Sequence, residues 1–183
     1  EWEELQLNEE TFWTGSPYCN DSKKSASRLN EVRQLIFQGQ EEKAAEIINK
    51  DFVVGPHGMR YLSLGSMNLH FDGHDKATNY YRDLNLETAT ATTSYEVEGV
   101  KFSRTTFASI PDGVIMMRIN ADKANAINFS LGYTSEMEYK VGVKKNTLTA
   151  TIKNEEQEGV PAGLTAQCVI KVLTDGKVIG GKE

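Results

Sequence analysis

The side chains best suited to chemistry in this chain are its histidines. His70 and His74 stand four residues apart in HFDGHD, a spacing that lets two histidines share a metal ion on a helix. Gly73 separates them and His70 belongs to an alternating, strand-like pattern, so we expect a polar strand end and turn rather than a metal site. His57, in GPHGMR, is a loop histidine that we retain as a candidate site residue.

Adjacent acidic pairs are the other candidates for catalysis. Glycoside hydrolysis needs two carboxyl groups on opposite sides of one bond. Glu9–Glu10 and Glu155–Glu156 are neighbours in the chain, and neighbouring side chains of a strand point to opposite faces. Neither pair can flank a sugar by itself. Motifs for a serine nucleophile or a phosphate-binding loop are missing too, so we expect no catalytic residue and no cofactor here.

Composition narrows the possible partners. The chain has 183 residues and a net charge of −6, which favours one domain and argues against nucleic acid as a partner. No apolar run approaches the roughly 20 residues of a membrane span. The start is polar and acidic rather than signal-like, but the chain does not begin with Met, so this has no bearing on where a parent protein resides. Cys19 and Cys168 lie far apart, and we expect two free thiols.

Two helices are indicated near the start. Apolar residues recur at three- and four-residue steps from Ser25 to Gln38 and again from Glu41 to Asp51, the period of a helix with one buried face. Gly39 between them is a natural helix stop. We predict a helical hairpin over about 23–52, whose first helix buries Leu29, Val32, Leu35 and Ile36.

From about Met59 the spacing of the apolar residues changes from a period of 3.6 to a period of 2. Met67, Leu69 and Phe71 alternate with polar residues, and Glu98-Gly99 marks the turn of a predicted hairpin. Further strands are predicted at 114–119, 127–133, 147–152 and 166–173, the first of them buried on both sides. Tyr80, Tyr81 and Tyr95 are expected to face a core. The pattern predicts a mostly β fold, an antiparallel β-sandwich with a short two-helix insertion near the N-terminus.

The opening stretch QLNEETFWTGSP, Gln6–Pro17, carries a family resemblance. It is similar to the signature Q-L-N-E-x-T-x-W-x-G-x-P near the N-terminus of glycoside hydrolase family 95, the 1,2-α-L-fucosidase family. Asn30–Phe52 resembles the helical insertion of that family, and Tyr80–Lys123 resembles its long hairpin block. YLSLGSMNLHF resembles its Y-x-P-L-G-x-L-x-L-x-F strand, with Ser63 in place of the usual proline.

The resemblance implies a multidomain parent protein. Members share an N-terminal β-supersandwich, a helical linker, an (α/α)₆ barrel and a C-terminal β domain, and their inverting reaction uses residues of the barrel. We therefore expect residues 1–183 to be a single, truncated N-terminal domain without the catalytic barrel, inactive when isolated. Its implied partners are the (α/α)₆ catalytic domain of the same parent chain and a fucosylated glycan. Periplasmic or extracellular location is implied as well.

For the opening stretch we predict a loop that packs against the barrel near its mouth. Trp13 would supply a large apolar contact with one polar N–H, while Asn8 and Glu9 would fix the loop through hydrogen bonds to its backbone. Direct sugar contact by Trp13 or Thr14 is the less favoured version, and simple core burial stays an open alternative for Phe12. The candidate interdomain or substrate contacts are Asn8, Glu9, Trp13, Thr14 and His57.

Three functions remain open at this point. The first is a site-shaping, non-catalytic domain of a fucosidase-like hydrolase. The second is an autonomous carbohydrate-binding module, which would need an exposed aromatic platform. The third is a complete small enzyme, and the missing acid–base pair argues against it.

Overall fold

A computed structural model describes residues 1–180 of the chain. This described part is mostly β, and two α-helices lie between its first and second strands, so the predicted fold class is confirmed. The helices are α1 Ser25–Phe37 and α2 Glu41–Asp51. The strands are β1 Trp2–Trp13, β2 Tyr61–His70, β3 Thr78–Asn85, β4 Thr90–Val97, β5 Val100–Ser109, β6 Val114–Ala121, β7 Ser130–Thr134, β8 Tyr139–Lys144, β9 Thr147–Lys153 and β10 Thr165–Lys171.

The helical hairpin has the predicted limits. Ser22 Oγ accepts hydrogen bonds from the backbone N–H groups of Lys24 and Ser25, which caps the start of α1. Gly39, with φ +71°, ends it in the left-handed conformation that glycine adopts without strain. Val32 is buried as predicted, but Leu29 and Ile36 are exposed. The described packing partner of α1 is α2, which covers only part of its surface.

The ten strands of the described range form three sheets, ordered β1-β2-β7, β10-β9-β8 and β3-β4-β5-β6. The β4–β5 hairpin turns at Glu98-Gly99, both with positive φ, as predicted. The strand predicted at 114–119 to be buried on both sides is β6, and this prediction is wrong. β6 is the last strand of its sheet, and Val114, Ile115 and Met116 are exposed. An apolar run marks strands but does not tell an edge from a centre.

The opening stretch also departs from its prediction. Gln6–Trp13, expected in a loop, forms the last two thirds of β1, at the edge of the sheet ordered β1-β2-β7. Its polar residues face solvent and Phe12 is buried. Edge strands need little apolar alternation because only one side of the ladder is paired, so the pattern is weak. The turn begins at Thr14.

By their internal contacts the residues group into two compact units. Unit 1 consists of Glu1–Leu5, Ser66–Thr134 and Leu173–Ile179. Within the described residues, unit 2 consists of Gln6–Gly65, Ser135–Val172 and Gly180. Residues 181–183, which end the predicted domain, lie outside the described range.

Unit 1 has an aromatic core around a buried cation. Tyr95, Val97 and Phe102 form a buried cluster, and Arg104 Cζ lies 5.2 Å from the Tyr95 ring centroid and 5.0 Å from that of Phe71. Such cation–π contacts stabilise a guanidinium that has lost its water. Tyr95 therefore faces the core as predicted, whereas Tyr80 and Tyr81 are exposed on the edge strand β3.

The two histidines of HFDGHD have separate surroundings in unit 1. His74 is buried, with Nδ1 2.9 Å from Tyr95 Oη. Burial is the main reason why the pKa of His74 lies below its usual value. His70 packs against the Trp2 ring at 4.4 Å, and its Nδ1 lies 3.1 Å from Asp72 Oδ1.

Unit 2 buries Ala150 and Ile152 of β9 completely, together with Phe12, Leu62 and Leu64. Cys19 and Cys168 are both free thiols, as predicted, and burial raises the pKa of Cys168. This unit holds all five candidate site residues.

Candidate functional site

Two half-exposed aromatic rings stand side by side on the surface of unit 2. Trp13 ends β1 and Tyr61 begins β2, and their ring centroids are 5.0 Å apart in an edge-to-face arrangement with an interplanar angle of 63°. Trp13 is 40% exposed and Tyr61 43%. We call this pair the aromatic ledge. Edge-to-face geometry is one of the favoured arrangements of aromatic rings, so each ring helps to fix the other.

The indole N–H of the ledge is already occupied. Trp13 Nε1 donates to the Glu10 carbonyl oxygen at 2.8 Å, within the same strand. A neighbouring local contact fixes the strand's backbone, since the Glu9 carboxylate accepts hydrogen bonds from the Thr11 N–H at 2.8 Å and the Thr11 hydroxyl at 2.6 Å. The predicted bond from Glu9 to its own backbone segment is therefore confirmed. The accessible part of Trp13 is left as an apolar ring surface.

Asn154 holds the turn behind the ledge. Its side chain is buried, and Nδ2 donates to the carbonyl oxygens of Trp13, at 2.8 Å, and Gly15. Its Oδ1 accepts from the N–H groups of Gly163, at 3.1 Å, and Leu164, at 2.9 Å. One amide thus satisfies four backbone groups from two segments and fixes the direction in which the chain leaves β1.

Gln157 makes a second set of bonds to the same turn. Its Oε1 accepts from the Thr14 hydroxyl at 2.6 Å and from the Arg60 N–H at 2.9 Å, and its Nε2 donates to the Gly58 carbonyl at 3.1 Å. Thr14 Oγ1 also accepts from the Arg60 N–H at 2.9 Å. Thr14 is buried, so its hydroxyl acts inside this network and does not face a ligand.

Charges beside the ledge are paired. The Arg60 guanidinium forms an exposed ion pair with the Glu155 carboxylate. Arg60 directly precedes Tyr61 of the ledge, and Glu155 directly follows Asn154. Gly15 N–H donates to the Glu155 carbonyl at 2.7 Å. The arrangement offers a rigid, mostly apolar surface with a polar border, which suits packing or ring stacking rather than proton transfer.

The structure brings together some of the predicted site residues and not others. Trp13 and Thr14 meet in the ledge and its network, and Glu9 anchors the strand that leads to them. Asn8 is exposed on β1, and no hydrogen bond of its side chain is described within residues 1–180. His57 is exposed in the loop between α2 and β2, after the cis Gly55–Pro56 bond, and it is not in contact with the ledge in any described interaction.

Three residues of the site were missed by sequence reasoning. Tyr61, Asn154 and Gln157 carry no local signal of their role, because their partners in the turn lie up to 143 residues away in the chain. Asn154 follows a predicted strand directly, and Tyr61 begins another. The burial of Asn154 would have indicated its role, but burial at a strand end cannot be read from the sequence.

Other kinds of site were also sought within the described residues. No group of three His, Cys, Asp or Glu side chains in residues 1–180 is arranged to hold a metal ion. Neither helix of this range combines the length and apolar composition needed to cross a membrane.

Comparison with known proteins gives a consistent set of matches. The family model described as "Glycosyl hydrolase family 65, N-terminal domain" matches residues 1–183. The chain is 39% identical over 138 residues to "Alpha-L-fucosidase 2" of Arabidopsis thaliana, an alignment that covers 74% of this chain and 16% of that protein. It is 23% identical over 183 residues to "Probable alpha-fucosidase A" of Aspergillus oryzae (strain ATCC 42149 / RIB 40), covering 96% of this chain and 25% of that protein. The chain therefore spans a quarter or less of the length of the curated relatives it matches.

Proposed function

Because the chain belongs to the family of glycosyl hydrolase family 65 N-terminal domains, we propose that it is the non-catalytic N-terminal domain of an α-L-fucosidase-like glycoside hydrolase. In this role it packs against a separate helical-barrel domain and helps to shape the substrate site. The ordered motifs from Gln6 to Lys123 resemble those of family 95 and support placing that hydrolase there. The similarity to two fucosidases supports the sugar class.

The observation that carries the proposal is the aromatic ledge. Two rings are left half-exposed although a buried amide and a glutamine fix the turn behind them. Rigid, partly buried aromatic side chains with polar borders are typical of contact surfaces, where they lose little conformational entropy on binding. The ledge is thus preorganised for an apolar partner, either the barrel or a pyranose ring.

The location of the catalytic groups follows from the same assignment. The chain spans 16% and 25% of the two fucosidase relatives, which leaves most of such a protein for other domains. The carboxylates of the site have other roles, Glu9 toward Thr11 and Glu155 toward Arg60. We assign the acid and base to the helical barrel of the parent protein, with no cofactor.

The substrate and location of the parent protein are part of the proposal. The family resemblance implies a fucosylated glycan as substrate and periplasmic or extracellular action. In this account the N-terminal domain contributes to the shape of the site and leaves the selection of sugar and linkage to the barrel.

An autonomous carbohydrate-binding module is the second candidate. The exposure of Trp13 and Tyr61 favours it, because aromatic faces stack on sugar rings. The two candidates differ in whether the chain binds sugar without the barrel.

Calorimetric titration of the chain with L-fucose and 2′-fucosyllactose separates the two candidates. The proposed function predicts no saturable heat at millimolar sugar, with or without a Trp13→Ala substitution. Saturable binding that is lost in Trp13→Ala would instead make the ledge an autonomous sugar platform.

A further inference from the structure

The four-stranded sheet of unit 1 has one end that is covered with exposed apolar side chains. At this end lie the β3–β4 and β5–β6 connections, residues 86–89 and 110–113, and the adjoining ends of the four strands. We call this region the hairpin end. Its exposed apolar side chains are Leu84, Leu86, Phe107, Ile110, Val114, Ile115 and Met116.

The strand register places these side chains on both faces of the same end of the sheet. Leu84 pairs with Ala91 across β3 and β4, and Ala108 pairs with Ile115 across β5 and β6. Side chains paired directly in this way stand on the same face of a sheet. Phe107 pairs with Met116 on the opposite face, so apolar side chains surround the hairpin end on both sides.

At the opposite end of the same strands the apolar side chains are covered by the rest of unit 1. There Tyr95, Val97 and Phe102 are buried in the core of unit 1. Leu86 and Ile110 are 84% and 92% exposed. A folded domain rarely leaves a group of large apolar side chains this exposed at one end unless they belong to an interaction site.

Charge indicates which kind of partner fits. The charged residues of the hairpin end are Asp83, Glu87 and Asp112. Arg82 and Arg118 lie directly beyond it, and Arg82 is paired with Glu3. Two copies of this surface would place like charges against each other, which disfavours self-association. A partner with an apolar patch bordered by Lys and Arg would be complementary.

We propose that the hairpin end docks onto an apolar, Lys- and Arg-bordered surface in the remaining polypeptide of the parent hydrolase. The inference rests on the proposed function, because it takes the rest of that enzyme as the partner. The two fucosidase relatives have several times the length of this chain, so the partner would be tethered in the same molecule. Tethering raises its effective concentration and makes a modest contact sufficient.

Hydroxyl-radical labelling of the full-length parent protein tests this docking. After correction for intrinsic reactivity, Leu86 and Ile110 should be labelled about tenfold more slowly than Val169, an exposed apolar residue of β10. Tenfold protection corresponds to about 1.4 kcal/mol in favour of the docked state. Equal labelling of all three side chains would overturn the inference. Protection that disappears on dilution of the protein would also overturn it, because the occupant would then be a second copy.

Charge reversal tests the same contact without altering its apolar side chains. Asp83→Lys together with Glu87→Lys should restore fast labelling of Leu86 and Ile110. The control pair, Glu46→Lys with Glu156→Lys, reverses two exposed carboxylates elsewhere and should leave the labelling slow. Loss of protection in both double variants would contradict a specific contact.

Failure of this inference can be told apart from failure of the proposed function. If Trp13→Ala lowers the kcat/KM of the parent while the hairpin end is fully labelled, the domain shapes the site but docks elsewhere. If Trp13→Ala has no effect on kcat/KM, the proposed function itself is wrong.

Discussion

Asn154 Nδ2 lies 2.8 Å from the carbonyl oxygen of Trp13, across 141 residues of chain. This bond connects the exposed ring of the proposed contact surface to a buried side chain that also binds Gly163 and Leu164. The backbone of Trp13 is therefore held from inside unit 2, while its ring is held by the Glu10 carbonyl and the Tyr61 ring. The predictions on unit 2 follow from this dependence.

Asn154→Ala should destabilise the chain and loosen the ledge. The substitution leaves two carbonyl oxygens of the turn after β1 and the N–H groups of Gly163 and Leu164 without their partner. We expect a loss of about 2–3 kcal/mol in the free energy of unfolding. Urea unfolding followed by tryptophan fluorescence measures it. Asn20→Ala, which removes one exposed bond to the Pro56 carbonyl, should change stability by no more than about 0.5 kcal/mol. Equal effects of the two would refute the role of Asn154.

Gly15→Ala should cost more than the same change at Gly39. Both glycines have a φ near +70°, where a side chain adds about 1–2 kcal/mol of strain. A Cβ on Gly15 would also stand 2.8 Å from Met59 Sδ and 3.0 Å from Val160 Cγ1, whereas one on Gly39 meets nothing within 4 Å. Thermal unfolding of the two variants should show the larger drop for Gly15→Ala. A comparable drop in both would mean that the space around Gly15 relaxes.

Arg104→Leu should strongly destabilise unit 1. Arg104 Nη2 lies 2.7 Å from both Glu1 Oε1 and Glu3 Oε2, and the guanidinium is almost completely buried. Burial works to lower the pKa of Arg104, but its bonds to Glu1 and the charges of Glu1 and Glu3 raise it overall. Removing the cation leaves the Glu1 carboxylate without its guanidinium partner and leaves Glu3 with Arg82 alone, at a cost of about 3–5 kcal/mol.

Chemical denaturation of Arg104→Leu at neutral pH measures this cost. Arg118→Leu is the matched control, because Arg118 is exposed on the neighbouring strand β6 and bonds only Asn120 in the described contacts. A control that unfolds as easily as Arg104→Leu would show that the ion pair carries no special weight.

His74 should make the stability of the chain fall in mild acid. Burial is the largest cause of the lowered pKa of His74. The positive Glu1 amino group and Arg104 lower this pKa further, whereas the carboxylates of Glu1 and Asp75 raise it. The folded state holds the neutral ring, whereas the unfolded chain takes up a proton near pH 6.5. Its contribution is thus complete above that pH and is lost as the pH falls below it, with a slope of at most about 1.4 kcal/mol per pH unit.

Unfolding free energies measured between pH 5 and 8 test this sign. In His74→Gln the slope below pH 6.5 should become shallower, while His57→Gln, at an exposed position, should retain it. An unchanged slope in His74→Gln would assign the acid sensitivity to other groups.

The sequence was a good guide wherever the signal was local. The helical hairpin was predicted because Ser22 and Gly39 mark its limits and the apolar period is regular, and Glu98-Gly99 identified the β4–β5 hairpin in the same way. Core burial was left as an alternative for Phe12, and the residue is buried. The motif around Trp13 also directed attention to the correct end of β1, although as a loop and not a strand.

The remaining features depend on residues far apart in the chain. Asn154 and Tyr61 reach Trp13 through the fold and no pattern near them indicates it. β6 was predicted to be buried because an apolar run is typical of a central strand. It lies instead at the edge of its sheet, and its first residues belong to the hairpin end. The docking that we propose there would explain why the run is apolar. The apolar run that led to the wrong prediction for β6 would then be part of the docking surface.

The kinetics of the full-length parent hydrolase test the central claim most directly. With 2′-fucosyllactose as substrate, Trp13→Ala should lower kcat/KM about tenfold, equivalent to about 1.4 kcal/mol of transition-state stabilisation. Trp2→Ala, at a more exposed tryptophan outside the ledge, should leave it unchanged. A parent enzyme that keeps its full kcat/KM in Trp13→Ala would contradict a role for this domain in shaping the substrate site.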